Sequence, residues 1–383
     1  MFSKRTGFFF IICLFIMLQL TLAAEGYIPA QTGSPPARIH PCMDYDPINE
    51  RVIMFGGGTM SGVHGDTWMY VYSANTWTPI QSIPNPPARN DGAMIYDPVS
   101  NCMILFGGWL GMILGRGDDT WIFNCTTDEW TEVSPEVSPS PRSSANMVYD
   151  STNNIVILFG GYGEVDPHTE DTWCYSLTEN TWTEMSPATH PCGRYGHCMI
   201  YDPIHNRTIL FSGNSDDGMN PDLWEYNFTA DSWTELSVNP HPLGRKWGTI
   251  VYDPDEHRGI LFGGDCNDPE FVNDTWAFNC SSSEWEVQDP EQSPCVRANA
   301  GLAYDSTNDL IVLFGGQSGG FGGNYYSMDD TWVYVDDEWI DMSTMPSSSD
   351  TTSNGAIPIE WIVLGISIPV IIGAVILVKM KRS

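Results

Sequence analysis

The apolar positions of this chain recur in a long rhythm. Six times a run of aliphatic residues ends in phenylalanine and glycine: "MFGG" at Gly57, "LFGG" at Gly108, Gly161, Gly264 and Gly316, and "FSG" at Gly213. The phenylalanines, Phe55, Phe106, Phe159, Phe211, Phe262 and Phe314, lie 51 to 53 residues apart. A tyrosine–aspartate pair begins ten residues before each of them, at Tyr45, Tyr96, Tyr149, Tyr201, Tyr252 and Tyr304. Seven residues before each tyrosine stands an arginine: Arg38, Arg89, Arg142, Arg194, Arg245 and Arg297. Past the glycines comes Asp-Thr-Trp, or Asp-Leu-Trp in the fourth unit, at Trp68, Trp121, Trp173, Trp224, Trp276 and Trp332. A second tryptophan follows nine residues later in five units, and seven later at Trp339.

Each unit predicts four strands. The first runs from the arginine to the tyrosine, as in "RSSANMVYD", and Tyr-Asp-Pro or Tyr-Asp-Ser then turns the chain. The second, as in "NIVILF", is apolar throughout, which fits burial on both faces near a central axis. The third alternates from Asp-Thr-Trp, and a polar turn leads to a fourth that holds the second tryptophan. A period of about 50 residues marks a propeller blade, a unit that cannot bury its faces alone. Closing six such sheets into a ring protects their edges. No overlap strand to lock the ring is evident, although "YIPAQTGSPPAR" at Tyr27 resembles "WTPIQSIPNPPAR" at Trp77 and suggests an outer strand from the N-terminus.

The ends differ from the repeats. Lys4 and Arg5, the apolar run Phe8 to Leu22 and small residues at Ala23 and Ala24 have the layout of a secretory signal over residues 1–24. Near the other end, Trp361 to Val378 carries no charge and is followed by Lys379, Lys381 and Arg382. As a helix this stretch spans roughly 27 Å, close to the hydrocarbon core, and the basic residues hold that end in the cytoplasm. The expected order is signal 1–24, propeller 25–342, Ser/Thr-rich stalk 343–358, transmembrane helix 359–378 and cytoplasmic tail 379–383. That is a single-pass cell-membrane protein with its N-terminal domain outside.

Residues 25–358 hold 47 acidic and 11 basic side chains, which disfavours nucleic acid and anionic lipid as partners. Five N-glycosylation acceptors, Asn124, Asn206, Asn227, Asn273 and Asn279, suit an extracellular surface. Nine cysteines remain once Cys13 leaves with the signal, and Cys192 and Cys198 in "PCGRYGHC" are candidates for a local disulfide. His197 lies in the same stretch, but the spacing is not a zinc pattern and no metal site is expected there.

With the double glycine after an apolar strand and two spaced aromatics in hand, the repeat resembles the kelch repeat, over residues 26–342 and six times. Its variant, Trp-x-Tyr or Trp-x-Phe, is similar to that of galactose-oxidase-like kelch proteins, and the fourth unit departs from the motif at Ser212 and Leu223. The resemblance implies an all-β, six-bladed propeller of four-stranded antiparallel blades, here followed by one C-terminal transmembrane helix. It also implies binding of proteins or glycans through loops on one face, with enzymes a minority.

Nearly all length variation between units falls between phenylalanine and first tryptophan: 13, 15, 14, 13, 14 and 18 residues. These loops share a face with the six arginines, and binding residues concentrate on loops held by a scaffold. Two readings of the arginines stand open. They form an anionic-ligand ring, or each pairs with a carboxylate such as Asp66 or Asp171 and keeps the blades in register. The loops "GRGDDTW", "SGNSDDGMNPD" and "GGDCNDPEFVND" could hold calcium but match no complete calcium loop, and no other cofactor is expected. Arg116-Gly117-Asp118 spells an adhesion tripeptide by chance or as a turn. The glycines of "LFGGYGEVDPHTEDTW" are followed by no helix to meet a phosphate, so this is not a nucleotide loop. The eight histidines show no copper-ligand pattern and no nucleophile motif occurs. The sequence therefore predicts a binding or adhesion module for an extracellular protein or glycan. A sugar-directed oxidase, epimerase or hydrolase at the channel mouth is the alternative.

Overall fold

The computed structural model describes residues 33–345, apart from 268–269 and 321–323. The expected signal, membrane helix, cytoplasmic tail and all but the first residues of the stalk lie outside the described residues. Among the described residues no helix is long and apolar enough to cross a membrane.

The described chain forms six four-stranded antiparallel sheets, one per repeat. Blade one comprises Cys42–Asp46, Arg51–Phe55, Thr67–Val71 and Thr76–Ile80. Blade six comprises Gly301–Asp305, Leu310–Phe314, Thr331–Val335 and Glu338–Asp341. Within each blade the strands lie side by side in chain order, as hairpins dictate.

The first strands pack against one another around the axis, and Cys42–Asp46 meets Gly301–Asp305 to complete the circle. The second strand, expected near the axis, is therefore the next one out. Its residues are buried because neighbouring sheets cover both its faces, not because it lines the channel.

Every seam between blades uses the same parts. The second tryptophan of one blade packs on the phenylalanine of the blade before it, with ring centroids 4.9–5.1 Å apart at all six seams. Its indole N–H donates across the seam to the Asp-Thr-Trp threonine at 2.9–3.1 Å in five of them. At the seam between blades four and five the threonine is Leu223, and Trp285 Nε1 is left without a partner. The ring closes with the same joint: Trp77 packs on Phe314 and donates to Thr331, and residues of blades one and six share one apolar cluster. All four strands of blade one lie within 42–80 and all four of blade six within 301–341, so no strand is exchanged between the described ends.

The paired glycines make a second joint. Both have positive φ, and a Cβ on the first would sit 2.4–2.7 Å from the next blade's arginine carbonyl in all five blades that have it. The N–H of the second donates to that same carbonyl at 2.8–2.9 Å in all six blades. In blade four Ser212 stands in the first place at φ 58, and its Oγ accepts from the Arg245 amide at 2.8 Å.

Candidate functional site

The six repeated arginines are almost completely buried, with relative exposures of 0–1%. Each guanidinium forks onto the aspartate before its blade's first tryptophan: Arg38 on Asp66, Arg89 on Asp119, Arg142 on Asp171, Arg194 on Asp222, Arg245 on Asp274 and Arg297 on Asp330. The N–O distances are 2.6–2.9 Å. A further N–H of each donates to the carbonyl of the first glycine (Ser212 in blade four) at 2.7–3.0 Å. The tryptophan N–H caps the same carboxylate at 2.6–2.9 Å.

Burial pushes Asp66, Asp119, Asp171 and Asp274 up, but the arginine hydrogen bonds and charge outweigh it and hold them below the ordinary carboxylate range. The arginine ring is thus the register device of the two readings. Its N–H groups are spent inside the blades, and none is turned outward for an anionic ligand. Three of the acidic residues in the loops considered for calcium, Asp119, Asp222 and Asp274, are committed to these clamps.

Two residues beyond each arginine the chain does something else. His40, Asp91, Ser144, Gly196, Trp247 and Asn299 all adopt left-handed backbone, with φ of 50–64°. Each amide donates to the carbonyl of the equivalent residue one blade back, at 2.7–3.2 Å, and the six bonds close on themselves. This collar rims the channel at the loop face. The repeated backbone carries six different residues there, five side chains and Gly196, a break in the sixfold pattern.

Several collar side chains interact. His40 Nδ1 lies 2.9 Å from Asp91 Oδ1, and Ser144 Oγ bonds the other oxygen of Asp91. The carboxylate stands between imidazole and hydroxyl, so this is not the nucleophile–base order of a hydrolytic triad. Burial raises Asp91, while His40, Ser144 and Arg116 more than offset it and keep the carboxyl low. A cavity of about 150 Å³ lies beneath, bordered by the collar and by His197. Burial, and then the charge of Arg194, push His197 down to about 3, so its ring is neutral. Neither of its nitrogens, nor Asn299 Oδ1, has a hydrogen-bond partner among the described residues.

Around the collar runs an arc of touching rings and cations. The Arg116 guanidinium lies 5.1 Å from the Trp109 ring and 4.3 Å from that of Tyr162. Tyr162 meets Tyr195 edge to face at 5.1 Å, Tyr195 lies 6.0 Å from Trp247, and Trp247 meets His40 at 5.5 Å. Lys246 Nζ sits 4.5 Å over Trp247 and 3.3 Å from Asp265. Arg51, Arg207 and Arg258 pair with turn aspartates on the opposite face. Of the 11 basic residues in 25–358, only Arg116 and Lys246 therefore serve this one. Arg116 is held between two rings rather than displayed as part of an adhesion tripeptide.

The tips of the first three loops carry exposed apolar side chains. Met112 and Ile113 are 95% and 96% exposed and adjoin exposed Leu114, while exposed Met60 and Val165 stand on the loops to either side. Gly111 approaches Val63 of the first loop, and the Arg116 amide donates to Glu164 of the third at 3.0 Å, so the three loops are neighbours.

Cys192 and Cys198 are both free thiols, which corrects the expected bridge. Cys192 is exposed beside Arg194, whereas Cys198 points into the seam with blade five, 3.3 Å from the Gly248 carbonyl. Four of the five glycosylation acceptors, Asn124, Asn206, Asn227 and Asn279, lie at the hairpin turns of the opposite face, and only Asn273 is on the loop side.

Six antiparallel sheets around a channel, joined through glycine pairs and each pinned by a buried arginine clamp, define a repeat propeller. The chain belongs to the kelch-repeat family: it matches the KLHDC2/KLHL20/DRC7 Kelch-repeats domain over residues 17–213 and again over 151–357. It is 28% identical over 255 residues to Mei4-dependent protein 6 of Schizosaccharomyces pombe, covering 59% of this chain and 36% of that protein. It is 23% identical over 310 residues to the host cell factor homolog hcf-1 of Caenorhabditis elegans, covering 71% and 38%. With an F-box/kelch-repeat protein of Arabidopsis thaliana it shares 27% over 226 residues, 53% and 45%. This chain thus spans less than half the length of each of these relatives.

The collar and the aromatic arc were absent from the sequence-based candidates, which named the variable loops but not the apolar residues at their tips. One signal was available. Once the repeats are aligned on the arginines, neither of the next two positions repeats a residue: Ile39, Asn90, Ser143, Tyr195, Lys246 and Ala298 at the first, and the collar residues at the second.

Proposed function

We propose that this kelch propeller is a binding module that takes a protein partner on its loop face. The observation that carries this reading is the exposed run Met112–Leu114, flanked by Met60 and Val165 and backed by the Trp109–Trp247 arc. Contiguous apolar surface rimmed by polar groups favours a protein interface, and aromatic and arginine side chains are the usual anchors of one. A glycan would give the aliphatic tips little to pack on, so protein is preferred over glycan. The small cavity below the collar offers neutral His197 and the Asn299 carbonyl to a polar group on a partner's tip.

The uncharged stretch 361–378 and the signal-like start support display outside the cell on a single span. Four of the five sequons would place their glycans on the turn face, leaving only Asn273 on the loop side. A photo-crosslinking residue placed at position 113, and at Val99 on the turn face as control, tests the reading in cells expressing the full chain. Protein adducts are expected at position 113 and not at 99; adducts at 99 alone, or at neither position, would count against it.

A further inference from the structure

We infer that the turn face carries a transition-metal site formed by Asp202 and His205 of blade four and His257 of blade five. One ligand atom from each lies within 4.8 Å of the other two. His205 Nδ1 is 2.7 Å from Asp202 Oδ2, His257 Nε2 is 3.0 Å from Asp202 Oδ1, and the two rings stack 5.5 Å apart.

Comparison with the other blades shows how unusual this is. The aspartate after the tyrosine is buried in every blade: Asp46, Asp97, Asp150, Asp202, Asp253 and Asp305. Three residues on, blades one, three and six place Asn49, Asn153 and Asn308, whose amides donate to it at 2.7–2.8 Å. Blade four has His205 there. One residue further, at the left-handed position, the oxygen of Asn101, Asn154, Asn206 or Asp309 accepts from its own blade's tyrosine hydroxyl. Blade five has His257, which abandons that role and reaches back across the seam to Asp202. Two departures from the repeat, in adjacent blades, thus place imidazoles on one carboxylate.

The surroundings suit a metal. Ser281 Oγ lies 3.1 Å from His257 Nδ1 and can accept its N–H, which fixes Nε2 as the ligating nitrogen. The Ile204 and His205 amides orient the carboxylate at 3.1 and 3.2 Å. Arg207 also contacts it at 3.1 Å, with its charge shared by Glu225 at 2.7 Å. The His205 side chain is 41% exposed, so an ion reaches the site from solvent and completes its coordination with water. Two imidazoles and one carboxylate select zinc, copper or nickel over calcium or magnesium. Donors around a tetrahedral zinc stand roughly 3.3 Å apart, so the two imidazole–carboxylate pairs open by about 0.6 Å and about 0.3 Å to admit it. Each ring binds as the neutral base, and a charged ring releases its proton on binding.

The test uses the full chain. Zinc titrated calorimetrically should bind at this site, and bound copper(II) should show two-nitrogen coordination by paramagnetic resonance. His205→Asn and His257→Asn restore the residues that other blades use at these positions. Each should keep the metal-free melting temperature and weaken zinc at least tenfold. In the wild-type chain, zinc should protect His205 and His257 from acylation by diethyl pyrocarbonate. The inference is overturned if zinc does not bind, if calcium competes with it equally, if both variants bind it as wild type does, or if acylation of the two histidines is unchanged at saturating zinc.

Discussion

Residues 245 and 247 sit two positions apart and belong to different worlds. At the first, every blade has arginine, buried and forked onto an aspartate. At the second, every blade has the same left-handed backbone and the same collar bond, yet the six residues at the rim are all different, Gly196 among them. Where the side chain is identical it builds the frame, and where only the backbone is identical the side chain is released from that task. The paired glycines belong to the first class, because their conformation and the neighbouring arginine carbonyl leave a side chain no room.

The largest effect should come from breaking a clamp. Arg142→Ala empties a buried guanidinium site and leaves the partly buried Asp171 unpaired, and is expected to cost about 3 kcal/mol in chemical denaturation. Arg142→Lys should recover little of it, since lysine cannot fork onto the carboxylate. Next, Gly160→Ala must hold a φ of 62° with its Cβ 2.6 Å from the Arg194 carbonyl, and should cost about 1–3 kcal/mol or more by the same measurement.

Titration sharpens the contrast between frame carboxylates and the channel wall. Asp66, Asp119, Asp171 and Asp274 have lowered folded-state values, so their stabilisation is present above about pH 3.9 and is lost as pH falls further. Asp44 behaves in the opposite way. It replaces the apolar residues Ile95, Val148, Ile200, Val251 and Ala303 of the other inner strands. Burial, only partly offset by the Tyr96 and Tyr45 amides, raises it to about 6. Its ionisation therefore costs stability increasingly from about pH 4 up to pH 6, and fully above that. Asp44→Asn should raise the melting temperature at pH 7 and leave it unchanged at pH 4.

The smallest effect is a repair. Leu223→Thr gives the orphaned Trp285 N–H the partner that the other five seams possess, and should stabilise by about 1 kcal/mol, read as a shift in the denaturation midpoint.

Much of this frame was legible in the sequence, because one pattern repeated six times is its own alignment. The blade count, the four strands and the variable loop all follow from fixed spacings. The order of strands from the axis did not, since an apolar run shows that a strand is covered and not by what. The fate of the arginines was left between two readings because spacing cannot tell an outward guanidinium from a buried one. The collar was hidden because a left-handed turn at His40, Asp91 or Trp247 has no common residue to announce it. Likewise the approach of His205 and His257 depends on a seam between blades, which proximity along the chain cannot reveal.

The central claim is that the arginine position holds the frame while the collar position two residues on meets the partner. It is tested most directly by measuring melting temperature and crosslinking at position 113 together for Arg245→Lys and Trp247→Ala. Arg245→Lys should lower the melting temperature and, below it, leave the crosslink intact; Trp247→Ala should leave the melting temperature within a degree or so and lose the crosslink. The reverse pattern, with binding lost at Arg245 in a fully stable protein and kept at Trp247, would contradict the account.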